Sequence, residues 1–490
     1  MWKKALSITL VLVMATTLMA GVMSTAFAQE EPYTVYFAYH APKEGNQAAL
    51  NEVINELTMR ELNMKVELIP IGWDTYNQKY PAMLAAQQPL DISFVFSFSF
   101  ASFLDAGFIV DASDYVEYTP DIFEVLGDDA QVGYIGDMLV GFPVMNTRAA
   151  PSAIFVRKDI FDALGYKESD FNVTTDDYAS FGQITEMLGK IKEAYPDMVP
   201  FDGHRIFAEN SFTWVDAMND GFGVLENYGQ TTTVTNWYES EQIKQFSLLA
   251  REWFEKGYTS KDIAVTQELG QGKMKAGNSA AFFASYTANA LTSVKSQTGY
   301  DCVMIPVSAK MKSTTSVNAV LNCVMQQSRD KVKAFQFLNW CYTSKEFNDL
   351  LNWGVPGVDW VVNADGQADY PEGVTTQTVN YHSDFGFIYP NQFLMTPWTG
   401  SPADIWEAYR EFDEDAIASQ AFGFSFDSVN VANEVAQCSA VLSKYQADIF
   451  FGAVDTETGL ASLNAELYDA GLQTIIDEKQ SQLDAWLAKQ

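Results

Sequence analysis

Between residues 33 and 97 the chain switches back and forth between two hydrophobic periods, which leaves few folds open. YTVYFAY at 33–39 reads as a strand, and 46–63 places Leu50, Val53, Ile54, Leu57 and Leu62 at helical spacing. MKVELIPI at 64–71 is a second strand, 74–87 a second helix, and 91–97 a third strand. Strands separated by helices of this length pair side by side only through crossovers. Right-handed crossovers then place helices on both faces of a parallel sheet.

A second α/β unit starts at AIFV (153–156), with a helix over 158–164 and Gly165 as its C-cap candidate. Further helices are predicted over 176–195, ending before Pro196, and over 239–256. The latter carries Ile243, Phe246, Leu249, Ala250 and Trp253 on one face and stops at Gly257. AAFFASY (280–286), 299–306 and 317–325 read as strands, and 331–343 as a helix capped by Ser328. From about 401 the pattern is mostly helical, over 403–420, 431–444, 458–470 and 474–488. No Gly/Ser or Pro linker precedes this tail, so it is expected to pack on the body.

Composition excludes several classes. The 490 residues are 48% hydrophobic and 14% aromatic, so the chain can bury a sizeable core. With 63 acidic against 30 basic residues, a net charge of −33 argues against nucleic acid and against anionic lipid surfaces. Lys3 and Lys4 precede an uncharged run to Met23, and STAFA ends at Ala28 with small residues at the −3 and −1 positions. This is the pattern of a signal peptide cleaved after Ala28, implying an extracytoplasmic protein. The alternative is an uncleaved anchor, which Ser7, Thr9, Thr16, Thr17 and Gly21 weaken by diluting the run. Cys302, Cys323, Cys341 and Cys438 lack metal-ligand spacing and read as buried thiols, with a Cys302–Cys323 bridge left open.

Catalytic motifs are sparse. Phosphate-loop, dinucleotide-binding, nucleophile-elbow and HExxH patterns do not occur, and His40, His204 and His382 are far apart in sequence. Ser328-Arg329-Asp330-Lys331 matches SxxK without its companion motifs. Glu411, Asp413, Glu414 and Asp415 read as a solvated helix face, and Asp365 as part of a turn. Neither a catalytic set, a metal site nor a cofactor is therefore expected.

The aromatic residues are more informative. In an open α/β sheet, ligands sit beyond the carboxyl ends of strands. Trp73 and Tyr76 follow the second strand, and Phe98 and Ser99 leave the third. Trp214 and Asp216 lie in a loop-rich stretch, Ser285 and Tyr286 end the returning strand, and Trp353 is expected in a Gly/Pro-rich loop rather than at a helical position. A flat aromatic face stacks on a pyranose while Asp, Asn and Ser meet its hydroxyls. Phe94, Phe96 and Phe100 read instead as core residues of a strand.

The order of elements resembles the extracellular solute-binding proteins of family 1, which serve ABC importers. The resemblance is carried by MKVELIPIGWDTYNQKYPAMLAAQQPLDISFVFS, by MKAGNSAAFFASY and by DKVKAFQFLNWCYTSKEFNDLLNWGVPGVDW. NQFL, PADIWEAYREFDEDA, FGFSFD, VLSKY, FGAVD and LNAELYDAGLQTIIDEKQSQLDAW resemble the C-terminal domain of unknown function of one subgroup. Relatives usually carry a lipobox cysteine where this chain has Ala28-Gln29. The resemblance implies two discontinuous α/β lobes, type II-like, closing on ligand, with a helical extension at 401–490. Lobe I would take 31–144 and 279–316, and lobe II 145–278 and 317–400, with hinges near 143–146 and 313–318. Together with the aromatic positions above, this leads us to expect a monomer that binds a carbohydrate of oligosaccharide size, with Trp73 and Trp214 as stacking platforms from opposite lobes and Tyr286 and Trp353 secondary. Delivery would be to ABC permease subunits, without chemistry. The rival readings are a secreted glycoside hydrolase, a surface adhesin, and a binder of peptides or other solutes.

Overall fold

In a computed structural model of the chain, the described residues are 31–41, 47–149, 151–203, 214–266, 268–383 and 385–490. The expected leader at 1–28 and His204 lie outside them.

The early alternation forms the predicted crossovers. Strand Tyr33–His40 pairs in parallel with Met64–Ile71 along its whole length, Tyr33 opposite Met64 and His40 opposite Ile71. On its other side lies Ile92–Phe96, also parallel. Helix Gln47–Leu62 buries Leu50, Ile54 and Leu57 beneath them. Two more strands complete this five-stranded sheet: Val320–Val324, antiparallel to Ile92–Phe96, and Phe142–Pro143 at the edge. A second, four-stranded sheet runs in the order Cys302–Pro306, Ser152–Arg157, Ser279–Ser285, Val199–Phe201.

These pairings correct the expected lobe division. Segment 279–316 was assigned to lobe I, yet Ser279–Ser285 lies against Ser152–Arg157, with Ser152 opposite Ser285. Segment 317–400 was assigned to lobe II, yet Val320–Val324 inserts between Ile92–Phe96 and Phe142–Pro143. A strand's own pattern states that both faces are buried; it does not state whose backbone satisfies its N–H and C=O groups. The chain therefore passes from the first sheet to the second over 144–151 and returns over 307–319.

The tail shares the second lobe's core. Helix Glu241–Glu255, capped by Ser240 through the Ile243 N–H at 3.2 Å, buries Ile243, Phe246, Leu249, Ala250 and Trp253. Against that core pack Ile449 and Phe450 of helix Ala432–Phe450, Leu463 and Leu467 of Thr456–Asp469, and Ile475 of Leu472–Leu487. Each such side chain contributes about 1.5–3 kcal/mol when fully buried, so the tail is fastened by several independent anchors.

Helix Lys331–Cys341 is capped by Asp330, whose carboxylate accepts the Lys333 N–H at 3.0 Å, and not by Ser328. The Ser328 hydroxyl instead donates to Asp91 at 2.6 Å. Asp91 is buried and also accepts the Tyr33 hydroxyl and the Tyr36 N–H. A buried carboxylate requires such donors, which explains why Ser328 is drawn away from the helix end. All four cysteines are free and buried, and Cys302 and Cys323 belong to different sheets. Among the described residues, no helix is long and apolar enough to cross a membrane.

Candidate functional site

Both sheets turn their functional edges toward the crossovers. In the first sheet, His40, Ile71 and Phe96 are the carboxyl ends of parallel strands; Val320 enters opposite Phe96, and the chain leaves Pro143 for the other lobe. In the second, Ser285 and Pro306 end strands beside the start of Ser152–Arg157. Strand ends of this kind supply loops rather than ladders, so their side chains are available to a ligand.

A narrow crevice of about 40 Å³ lies among these elements. Phe100 and Ile135 come from the first lobe, Met218 and Asn219 from the second, Thr314 and Asn318 from the return crossover. The segment 424–428 of the tail supplies the remaining wall. The crevice adjoins a larger cavity of about 490 Å³, with Phe424, Ser425 and Asp427 common to both.

Met218 and Asn219 adopt left-handed backbone, with φ of 43° and 87°. Non-glycine residues pay for that conformation, so the surroundings must enforce it. Asp216 does so from one side: its carboxylate accepts the Met218 N–H at 3.0 Å, and its backbone pairs with Leu225 in both directions. Lys479 does so from the tail, donating to Asp220 at 2.6 Å and to the carbonyls of Phe222 and Gly223 at 2.8 and 3.0 Å. Lys479 is 0% exposed; burial lowers its pKa, and Asp220 and then Asp216 oppose that shift. Burial likewise raises Asp216, against the pull of Ser419, the Met218 N–H and Lys479.

The crossovers carry a second set of buried charges. Asp129 pairs with Arg148 of the outgoing crossover and with Lys312 of the returning one. Asp413, expected on a solvated face, is instead half-buried and accepts hydrogen bonds from Thr147, Arg148 and Ala149. Burial raises its pKa while those donors lower it.

The predicted site residues separate into two groups. Trp73 opens helix Trp73–Ala85 and Phe98 lies in the turn Ser97–Ser99, both at the carboxyl edge of the first sheet. Ser99 is buried there, its carbonyl accepting the Ser102 hydroxyl at 2.9 Å. Ser285 is exposed at the facing edge, and half-buried Tyr286 sets its ring edge-on to Phe412 at 5.6 Å.

Tyr76, Trp214, Asp216 and Trp353 are corrections. Tyr76 is 4% exposed, lies 5.0 Å from Phe96 and accepts the Phe96 N–H, so it is core. Trp214 is 1% exposed and packs on Phe246 at 5.2 Å, leaving no free face for a sugar. Asp216 is a buried support for the Met218 turn, as described above. Trp353 ends helix Lys345–Trp353 instead of lying in a loop and is 3% exposed; it donates to the Thr396 carbonyl and packs at a tilt against Trp398 and His382. Asp365 lies in a turn in which Asn363 accepts its N–H.

Sequence reasoning missed Met218, Asn219 and the role of FGFSFD; Asn318 falls in the expected hinge, and Phe100, expected in the core, is buried there while also bordering the crevice. One signal was available: FGFSFD places aromatics between Gly and Ser in a non-helical stretch of a helical tail.

A model described as bacterial extracellular solute-binding protein matches residues 52–372 of this chain. The chain belongs to the bacterial extracellular solute-binding proteins. A model for a domain of unknown function, DUF3502, matches residues 420–488 of this solute-binding protein. It is 23% identical over 439 residues to a protein of Streptococcus pneumoniae serotype 4 named carbohydrate ABC transporter substrate-binding protein, covering 88% of this chain and 87% of that one. The crystal structure of the N-glycan transport solute binding protein NgtS from Streptococcus pneumoniae is similar, with a TM-score of 0.77 at 20% identity over 93% of this chain and 99% of that one. An HMO-binding, ABC-transporter-associated solute-binding protein from Bifidobacterium longum infantis is similar with a TM-score of 0.63 at 16% identity, over 94% and 100% of the two chains. These likenesses establish a two-lobed solute-binding fold for this protein.

Proposed function

We propose that this solute-binding protein captures an oligosaccharide between its lobes, along the line that the narrow crevice marks and that parting of the lobes would widen, and delivers it unchanged to the permease subunits of an ABC importer. The observation that carries the reading is the composition of the crevice wall. Phe100 from one lobe, Met218 and Asn219 from the other, and Asn318 from a crossover all line one space, so an occupant ties the lobes together. Asn219 and Asp427 are exposed at the crevice and suit a rim of hydroxyls, over an apolar floor that buried Phe100 and Phe424 provide. The carbohydrate class is further supported by the name of the Streptococcus pneumoniae relative. Export through the leader, release of the mature chain from Gln29 and action as a monomer complete the reading.

Among the described residues, Asp427 is the one carboxylate lining the crevice, whereas glycoside hydrolysis ordinarily needs a pair. Transport without chemistry is the reading that the name of the Streptococcus pneumoniae relative supports.

The test is thermal unfolding of the mature chain against mono- and oligosaccharides. A ligand at about 100 times its Kd adds about 2.7 kcal/mol, a multi-degree rise. The expected result is such a rise for an oligosaccharide that is recovered intact. A flat panel would move the ligand to another solute class, and cleavage of the sugar would hand the site to a hydrolase.

A further inference from the structure

We propose that the cavity beside the crevice is an outer subsite for the further sugar units of an extended oligosaccharide, with Trp486 as its stacking platform. This rests on the carbohydrate reading above and extends it to ligand length.

Position is the first support. The cavity opens between the hairpin 134–139 of the first lobe and the last helix, Leu472–Leu487. Its volume of about 490 Å³ falls in the range of small-molecule sites. Phe424, Ser425 and Asp427 line both spaces, so the cavity lies directly beside the crevice and is the nearest place for further units of a ligand held there.

The lining chemistry is the second. Trp486 is half-buried, its ring fixed against Phe424 at 6.0 Å, and it lines the cavity together with half-buried Tyr134 of the hairpin. Two aromatic residues from different elements offer apolar surface to a sugar ring. Gln482 pins the Asp427 backbone from both sides, its side-chain oxygen accepting the N–H at 3.0 Å and its amide donating to the carbonyl at 2.8 Å. That leaves the Asp427 carboxylate, which also accepts the Val429 N–H, presented at the junction.

The third is an unsatisfied group. The Ser425 hydroxyl is buried without a hydrogen-bond partner although it lines both spaces. A buried hydroxyl left so is costly, and a sugar hydroxyl is the partner this site lacks. Lys489 of the tail and Asp137 of the hairpin stand 3.4 Å apart among the same lining residues. An occupant would therefore bind the first lobe to the tail, and through the tail's shared core to the second lobe. Longer ligands should close the protein more firmly than short ones.

The experiment is calorimetric titration of the full mature chain with manno-, gluco- and xylo-oligosaccharide ladders of about two to six units. Affinity is expected to rise with length in at least one ladder, and Trp486→Ala to weaken the longest members about tenfold more than the disaccharide. Tyr134→Ala, in the hairpin and outside the tail, must show the same length dependence, which keeps the test valid if Trp486→Ala does not fold. Equal weakening at every length, or none, overturns the subsite while leaving the crevice as the carbohydrate site. Binding of no ladder by the wild type overturns the carbohydrate reading and this inference with it.

Discussion

The carboxylate of Asp413 accepts the backbone N–H of Arg148 at 2.7 Å, so the tail holds the outgoing crossover directly. The Thr147 hydroxyl and the Ala149 N–H donate to the same group at 3.0 and 3.1 Å. The guanidinium of Arg148 meanwhile pairs with Asp129, which also holds Lys312 on the return crossover. The two segments that any lobe motion must bend are thereby gathered at two carboxylates.

Asp413→Ala should strand the Arg148 and Ala149 N–H groups and destabilise the fold by about 1–3 kcal/mol, read by urea denaturation at neutral pH. A loss below about 0.5 kcal/mol would show that the crossover keeps its shape unaided.

Lys479→Met should cost about 3–5 kcal/mol, because it leaves Asp220 charged and partly buried with two carbonyls unpaired. The double variant Lys479→Met/Asp220→Leu should recover much of that loss. If the double variant is as unstable as the single one, packing rather than charge governs the site.

Burial pushes the His382 imidazole down from 6.5 to about 4. The unfolded chain then binds a proton more readily than the folded one, so stability is lost as pH falls from about 6.5 toward 4. His382→Phe should shrink that acid-side loss, seen as a wild-type-minus-variant difference that changes across the window. A difference independent of pH would contradict this assignment.

Asn219 separates strain from contact. At φ 87° a β-branched residue is poorly tolerated, so Asn219→Val should destabilise by about 1–3 kcal/mol. Asn219→Gly should match or exceed wild-type stability yet bind ligand more weakly, since it keeps the turn and removes the amide. Undiminished affinity in Asn219→Gly would take Asn219 out of the site.

How much could be read in advance follows from the reach of each signal. The crossovers of 33–97, the amphipathic helix ending at Gly257 and the address of Trp73 and Phe98 at a strand's carboxyl end all follow from patterns within about 20 consecutive residues. Trp214 shows where such patterns stop. Its loop position suggested exposure, but Phe246 of a distant helix covers its ring.

By itself, then, the sequence determined two α/β units and a helical tail, because hydrophobic period is a property of neighbours along the chain. The tertiary structure decided that Val320–Val324 returns to Ile92–Phe96, that Ser279–Ser285 joins Ser152–Arg157, and that Phe424 to Asp427 wall the crevice. Those choices depend on which unpaired backbone edges and apolar faces meet across hundreds of residues, and no local pattern encodes the meeting.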